Sequence, residues 1–93
     1  MVIGILQIEI NIPGISSLKS KRSVLKGIYA AVKKEYNVSV SELGAQDQLD
    51  KSHLGFAQIG TSRDVVHASL TKLADHFAAS RTVDLAAQQI EFL

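Results

Sequence analysis

The sequence has no cysteine and no tryptophan, and its only proline is Pro13. Without cysteine, the chain has no disulfide, no thiolate metal site, no iron–sulfur cluster and no cysteine nucleophile. It also lacks an apolar run near the roughly 18 residues of a membrane-spanning helix, since its longest, Val2–Leu6, is only as long as a strand. No secretory leader with a basic start and a small-residue cleavage site is recognisable, so we expect a cytoplasmic protein.

The composition is that of a folded domain. Of 93 residues, 46% are hydrophobic, and the mean hydropathy of +0.15 is too high for a disordered chain. This length predicts a single domain, residues 1–93, with one core. The formal net charge is only +1. Any binding to nucleic acid must therefore come from the distribution of charge and not from its total.

The first twelve residues alternate between two faces, which predicts a long central strand. One face is apolar throughout and should face the core; it carries Val2, Gly4, Leu6, Ile8, Ile10 and Ile12. The other face is mixed, because Ile3 and Ile5 are followed by polar residues at positions 7, 9 and 11. We expect no helix to cover this second face, so that its Ile3 and Ile5 half needs some other apolar partner.

A helix is predicted from Leu18 to Tyr36, after the break at Pro13-Gly14 and with Ser17 as its N-cap. Gly27 costs about 1 kcal/mol relative to Ala in a helix interior, so we expect close packing against the sheet there. The apolar side of the helix carries Leu18, Leu25, Ile28, Val32 and Tyr36. A basic stripe falls within about a 60° arc of another side and contains Lys19, Arg22, Lys26 and Lys33.

The rest of the chain predicts three more strands and a second helix. The strands are expected at Asn37–Leu43, His53–Gly60 and Val83–Leu93. The last should contain a bulge near residues 86–89, because its apolar residues change face. Thr61 or Ser62 should cap the second helix, whose apolar seam is Val66, Leu70, Leu73 and Phe77. The order βαββαβ predicts a ferredoxin-like α+β sandwich, with a four-stranded antiparallel sheet in the order 4-1-3-2 and two helices on one face.

This topology brings three separate segments to the end of the sheet where the first strand finishes, which we call the upper end. The segments are Pro13–Arg22, Gly44–Ser52 and Ser80–Thr82. The first of them places three cations in the first turn of the helix, where the positive end of the helix dipole makes each exposed cation unfavourable by roughly 0.3–1 kcal/mol. Free N–H groups, the dipole and the cations together indicate a site for an anion.

The candidate anion- or RNA-binding site contains Ser17, Lys19, Lys21, Arg22, Lys26, Gln46, Asp47 and Arg81. The alternative is a solvated basic face on which Asp47 or another carboxylate neutralises Lys21. By its helical angle Lys21 falls among the apolar positions, so its ammonium either passes the end of the sheet or points into a site. Replacing Lys19, Lys21 and Arg22 together by Gln is expected to leave the fold intact, because like charges then leave the positive end of the dipole.

No catalytic residue, metal site or cofactor is predicted. The three histidines, His53, His67 and His76, are dispersed, and no nucleophile stands beside a base. There is no G-x-G-x-x-G or P-loop. The first strand has no aromatic side chain on which a nucleobase could stack, as an RRM would need.

Several short pieces, taken together in this order, resemble the YlxP-like family of small bacterial proteins of unknown function. They span roughly the first two thirds of the chain: the opening strand, Ser17-Leu18-Lys19, Lys21-Arg22, Val24-Leu25, Asn37–Glu42, Gln46-Asp47 and Leu54-Gly55. Leu49 is a mild departure, since the family usually has an aromatic or bulky residue there. The resemblance implies a ferredoxin-like fold and a genomic setting among transcription, translation-initiation and ribosome-maturation genes. It implies no established activity.

Three functions stay open at this point. The first is an RNA- or ribosome-associated accessory protein, not an enzyme, that uses the basic cluster. The second is a small-molecule or phosphoester-handling enzyme with its pocket at the same end. The third is a structural dimerising module. A homodimer through the uncovered sheet face or the last strand is expected, because Ile3 and Ile5 are joined there by apolar residues of the last strand. These are either Val83 and Leu85 or Ile90 and Phe92. The alternative is a monomer in which neighbouring side chains shade Ile3 and Ile5.

Overall fold

Six elements follow one another in the predicted order, in a computed structural model that describes residues 1–93. They are β1 (Val2–Asn11), α1 (Leu18–Glu35), β2 (Ser39–Gly44), β3 (Lys51–Gly60), α2 (Arg63–Ala78) and β4 (Asp84–Phe92). β3 begins two residues earlier than predicted, because Lys51 and Ser52 still pair with the end of β1. β2 begins two residues later than predicted, at Ser39.

The four strands form one antiparallel sheet in the order β2-β3-β1-β4. β1 is central and pairs with β3 along its whole length, from Val2 opposite Gly60 to Asn11 opposite Lys51. Together with two helices, this confirms the ferredoxin-like α+β fold and the strand order 4-1-3-2.

The core lies between the sheet and the helices, on the face that the alternation of β1 predicts. Leu6, Ile8, Ile10 and Ile12 of this face are at most 2% exposed. The predicted seam of α2 is confirmed, since Val66, Leu70, Leu73 and Phe77 are all buried. α2 rests directly on β1 at Gly4, where a Cβ atom would lie 2.6 Å from Val66 Cγ1. This close approach explains a glycine in a central strand.

α1 packs on the core through Leu25 and Val32, which are buried, and through Ile28, which is partly buried. Gly27 does not pack against the sheet, because a Cβ atom added to it would meet nothing within 4 Å. The expected close packing at Gly27 is therefore wrong.

Ser62, not Thr61, caps α2, its Oγ accepting a hydrogen bond from the Val65 N–H at 3.3 Å. Neither helix is long and apolar enough to cross a membrane.

The predicted bulge in β4 is confirmed, and it changes the composition of the uncovered sheet face. Glu9 is opposite Ala87 and Ile10 is opposite Leu85, so Ala86 is the extra residue. The bulge moves the apolar residues on both of its sides to the helix-covered face, where Val83, Leu85, Ile90 and Phe92 all join the core. Both alternatives expected for the contribution of β4 to the uncovered face are therefore wrong.

Leu70→Ala should lower the free energy of unfolding by about 2–5 kcal/mol, because Leu70 is fully buried where α2 crosses β1. Denaturant titration measures this loss, which is large for a domain of marginal stability. Val65→Ala on the same helix is the matched control. Val65 is 65% exposed, so its truncation should cost less than about 0.5 kcal/mol. Equal losses for the two variants would contradict the assigned packing of α2.

Candidate anion-binding surface

The first turn of α1 presents no acidic side chain to the positive end of the helix dipole. Ser17 is the N-cap, as predicted, and its Oγ accepts a hydrogen bond from the Ser20 N–H at 3.1 Å. Lys19 and Arg22 are exposed beside this turn. Two cations therefore lie in solvent at the end of the helix where they are electrostatically unfavourable.

Lys21, the third cation of this turn, is buried, with 1% of its surface exposed. Its Nζ donates to the Ala45 carbonyl at 2.6 Å and lies 3.0 Å from Glu42 Oε2. Ser52 Oγ donates to the same Glu42 oxygen at 2.6 Å. The ammonium is therefore neutralised within the chain, by Glu42 rather than by Asp47. Lys21 anchors the upper end of α1 and is not open to an external phosphate.

Residues 45–50 form the loop that closes over the Lys21 ammonium. Ala45 has φ +60°, a left-handed conformation that is unfavourable for a residue with a Cβ atom. Its carbonyl accepts both from Lys21 Nζ and from the Gln48 N–H, at 3.0 Å for the latter. These two bonds hold the strained turn in place. Gln46 and Asp47, the candidate residues of this loop, are exposed at its tip.

Two of the three segments predicted to meet at the upper end are in direct contact. Lys21 Nζ of the first segment donates to the Ala45 carbonyl of the second. Immediately before the first segment, the Ile12 N–H donates to the Asp50 carbonyl at 2.8 Å. The third segment is tied to itself, since Ser80 Oγ accepts from the Thr82 N–H at 3.2 Å. It borders α1 across a groove of about 370 Å³ between the helices. Arg81 is exposed there and forms no ion pair with the other segments.

Four of the five exposed cations of α1 lie in one row along the helix. We call the row of Lys19, Arg22, Lys26 and Lys33 the basic flank; all four are exposed. α1 holds six of the ten Lys and Arg residues of the chain. It holds only one of the nine acidic residues. α1 thus carries five net positive formal charges, and the rest of the chain carries four net negative ones. The overall charge of +1 hides this separation.

Two tyrosines lie along the border between the basic flank and the apolar side of α1, on which the sequence had placed Tyr36. Arg22, Lys26, Tyr29, Lys33 and Tyr36 follow one another at intervals of four, three, four and three residues. Such spacing places side chains along one stripe of a helix. Burial raises the pKa of the Tyr29 phenol and that of the Tyr36 phenol above the usual value near 10, with smaller contributions from the Glu42 and Glu35 carboxylates respectively. Both side chains are therefore neutral at neutral pH.

A shallow cleft of about 500 Å³ lies at the lower end of the basic flank, where α1 passes into β2. Its lining combines cations, an aromatic ring, an amide and a hydroxyl: Lys33, Lys34, Tyr36, Asn37 and Ser39, with Glu35 as its one acidic residue and Val38 as its aliphatic one. The lining residues are consecutive in the chain, and the cleft is widely open to solvent. The spacing of Tyr29 and Tyr36 was readable in the sequence, but the turn that forms the cleft was not.

The protein is a two-layer α+β domain, and its first helix carries a basic flank. The chain belongs to the family described as a protein of unknown function (DUF503), whose model matches residues 3–90. It is similar to the uncharacterized protein YlxP of Bacillus subtilis (strain 168), with 42% identity over 62 residues, 67% of each chain. The predicted resemblance is thereby confirmed. Neither description names an activity.

Lys21→Met should destabilise the protein by about 3 kcal/mol, because it leaves the Glu42 carboxylate without its cation in a buried setting. The figure is at the lower end of the range for buried pairs, since the Glu42 side chain is 17% exposed. The expectation that Lys21 can be replaced together with Lys19 and Arg22 without harm is therefore revised. Denaturant titration measures the change.

Lys19→Met is the matched control and should change stability little, or raise it slightly, because an exposed cation leaves the positive end of the dipole. The double variant Lys21→Met, Glu42→Gln should recover much of the loss, since no unpaired charge is then buried. If Lys21→Met and Lys19→Met were equally stable, the anchoring role of Lys21 would be wrong.

Proposed function

We propose that this protein is a non-enzymatic RNA- or ribosome-associated accessory factor of the cytoplasm that binds the RNA backbone through the basic flank. The observation that carries the proposal is the charge separation, with six of ten cations on α1 and no acid in its first turn. Five of these six cations are exposed, since only Lys21 is buried and paired. Such a concentration of exposed cations is unfavourable for the helix alone, and a polyanion would compensate it.

The extent of the basic flank favours a polymer over a single small anion. Lys19 and Lys33 are fourteen residues apart on one helix, which is about 21 Å at 1.5 Å per residue. A small phosphate would touch only one end of such a row, whereas a chain of phosphates can follow all of it. With Lys21 internally paired, the upper end has no converging set of free cations that would define an enclosed phosphate pocket.

The remaining candidate residues have distinct parts in this proposal. Ser17 caps the helix and Lys21 anchors it, so both position the basic flank without touching RNA. Gln46 and Asp47 lie at the tip of the neighbouring loop, where their polar side chains would border a bound backbone. Arg81 lies across the interhelical groove from α1 and supplies a further phosphate contact at the upper end.

Arg22→Gln with Lys26→Gln should weaken binding to RNA at low salt by about tenfold or more. It should also reduce the slope of log K against log salt concentration by about one for each lost side chain. Fluorescence anisotropy with a labelled oligoribonucleotide over a series of salt concentrations measures both quantities. Since Arg22 and Lys26 are exposed, the variant should keep the wild-type stability.

Lys51→Gln with Lys72→Gln is the control. It removes the same charge from exposed positions on β3 and α2 and should leave the salt slope unchanged. Equal weakening in the two double variants would show that only the total charge matters and would contradict the site. Binding of inorganic phosphate with little salt dependence would favour the enzyme alternative instead.

A second proposal concerns assembly: we infer that the protein forms a homodimer through the uncovered sheet face. On this face Ile3 and Ile5 of β1 lie beside Ala57 and Ile59 of β3. Ile59 is 56% exposed and Leu43, from β2, is 52% exposed. We call Ile3, Ile5, Ala57, Ile59 and Leu43 the open-face patch. Small monomers rarely leave a contiguous apolar patch of this kind in water, and two-fold pairing of one patch with its copy covers it.

Polar side chains border the open-face patch along one row across the sheet. Gln7 Nε2 donates to Glu91 Oε1 at 3.0 Å, and the Gln7 Oε1 is 2.9 Å from His53 Nε2. Since Gln7 uses its amide nitrogen for Glu91, its oxygen is the acceptor and His53 the donor. The row satisfies its own hydrogen bonds, so it can form the polar rim of an interface.

Ile59→Lys should convert the dimer to a monomer, because two unpartnered ammonium groups would be buried against apolar side chains in the symmetric interface. Light scattering at high micromolar concentration gives the molar mass. Val65→Lys is the matched control, since Val65 is 65% exposed on α2, on the other side of the sheet, and it should leave the dimer intact. A monomeric wild-type protein, or a dimeric Ile59→Lys variant, would contradict the proposal.

A further inference from the structure

We propose that the RNA taken by the basic flank is single-stranded, with its bases stacked on Tyr29 and Tyr36 while its phosphates follow Arg22, Lys26 and Lys33. This inference rests on the proposed function and names its ligand more narrowly. Its basis is the alternation of cations and aromatic rings along one stripe of α1, together with the cleft at the end of that stripe.

The order of side chains matches the two needs of a single strand. Arg22 and Lys26 come first along α1, then Tyr29, Lys33 and, as the C-cap residue, Tyr36. A single strand presents a phosphate and an unpaired base in every nucleotide, and proteins that bind it combine a basic track with aromatic stacking platforms. Arginine adds to this, because its planar guanidinium also stacks on bases.

Both tyrosine side chains are anchored in the core and partly exposed. Tyr29 and Tyr36 are half-buried, and each packs part of its surface against the core. No buried side-chain polar atom in the chain lacks a partner, and neither phenol hydroxyl has a hydrogen-bond partner within the protein, so both hydroxyls reach solvent. The core-facing contacts hold each ring in one position, which lowers the entropic cost of stacking a base on it. Both phenols are neutral and do not repel phosphate.

The cleft at the lower end adds a place where one base can be seated. It offers the Tyr36 ring for stacking, the Lys33 ammonium for a phosphate, and the Asn37 amide as both donor and acceptor. Glu35 also borders the cleft, next to Lys33 and Lys34 in the sequence. Sequence-specific contacts to RNA are mostly made to unpaired bases whose edges and faces are free.

A duplex would use this surface poorly. In an A-form helix the bases are already stacked on one another, and proteins contact mostly phosphates and 2′-hydroxyl groups. The cations of the basic flank could contact such phosphates, but Tyr29 and Tyr36 would gain no stacking partner. The aromatic part of the stripe therefore distinguishes the two forms of RNA.

The chain is well suited to a direct test, because it has no Trp and its only two Tyr residues are the two in question. Intrinsic tyrosine fluorescence therefore reports on the proposed stacking without a label. Titration with an oligouridylate should quench this fluorescence. An RNA hairpin with the same number of nucleotides, fully paired except for its shortest possible closing loop, should bind more weakly and quench little.

Tyr36→Ala should weaken oligouridylate binding by roughly fivefold to a hundredfold, the range for loss of one stacked base. Tyr36→Phe keeps the ring and should retain the affinity. Neither variant should change the salt slope, because neither removes a phosphate contact. Thermal unfolding of both variants checks that the fold is retained. If Tyr36→Ala does not fold, the comparison of the oligouridylate and the hairpin on the wild-type protein decides the question alone.

The outcomes separate this inference from the proposed function. One outcome would overturn the stacking and keep the basic flank as a backbone site. In it, salt-dependent binding is lost in the double variant Arg22→Gln, Lys26→Gln. The binding is also equal for the hairpin and the oligouridylate, and it leaves tyrosine emission unchanged. An absence of salt-dependent binding to either RNA would overturn both. Quenching by oligouridylate, together with an affinity that is lost in Tyr36→Ala and retained in Tyr36→Phe, would support the inference.

Discussion

The ion pair between Lys21 and Glu42 determines how the upper end of the molecule is built. It joins the first turn of α1 to the end of β2, and through Ser52 to the start of β3. The Ala45 carbonyl completes the coordination of the ammonium, which is why the loop after β2 takes a left-handed turn at a residue with a side chain. Either charge of such a pair is costly to bury without the other. Loss of one partner is therefore expected to loosen the contact between α1, β2 and the loop after β2.

The same ion pair determines which charges are left outside. A lysine at an apolar helical angle would otherwise point into the sheet, and Glu42 makes that position tolerable. The other cations of α1 have no such partner within the chain and stay on its outer side. The positive surface is therefore a long flank of the helix and not a point at its N-terminus. That difference in shape favours an extended ligand over a compact one.

Much of the fold could be predicted from the sequence, because its signals are local and periodic. The alternation of β1 and the apolar seam of α2 each identify their buried face without reference to the rest of the chain. The partner of Lys21 could not be predicted, since Glu42 is 21 residues away and the ion pair depends on how β2 ends against α1. The face of β4 was missed for a related reason. The bulge was predicted, but the apolar residues of each half of the strand were assigned to the uncovered face separately. The one extra residue, Ala86, places the apolar residues of both halves on the core side. Gly27 was assigned a packing role by general rule, and the structure shows open space at that position.

The separation of charge between α1 and the rest of the chain makes the charge of an almost neutral protein uneven, with a positive helix and a net negative remainder. Such a molecule gains little from overall attraction to a polyanion, but it experiences a torque as it approaches one. If the proposed RNA site is correct, the positive helix would turn toward the polyanion and the encounter would begin in the orientation that binding needs. At physiological ionic strength the field is screened within about 8 Å, and this alignment takes place only in the last steps of the approach. A variant with the same net charge but its cations spread evenly over the surface would collide as often and would be poorly oriented more often.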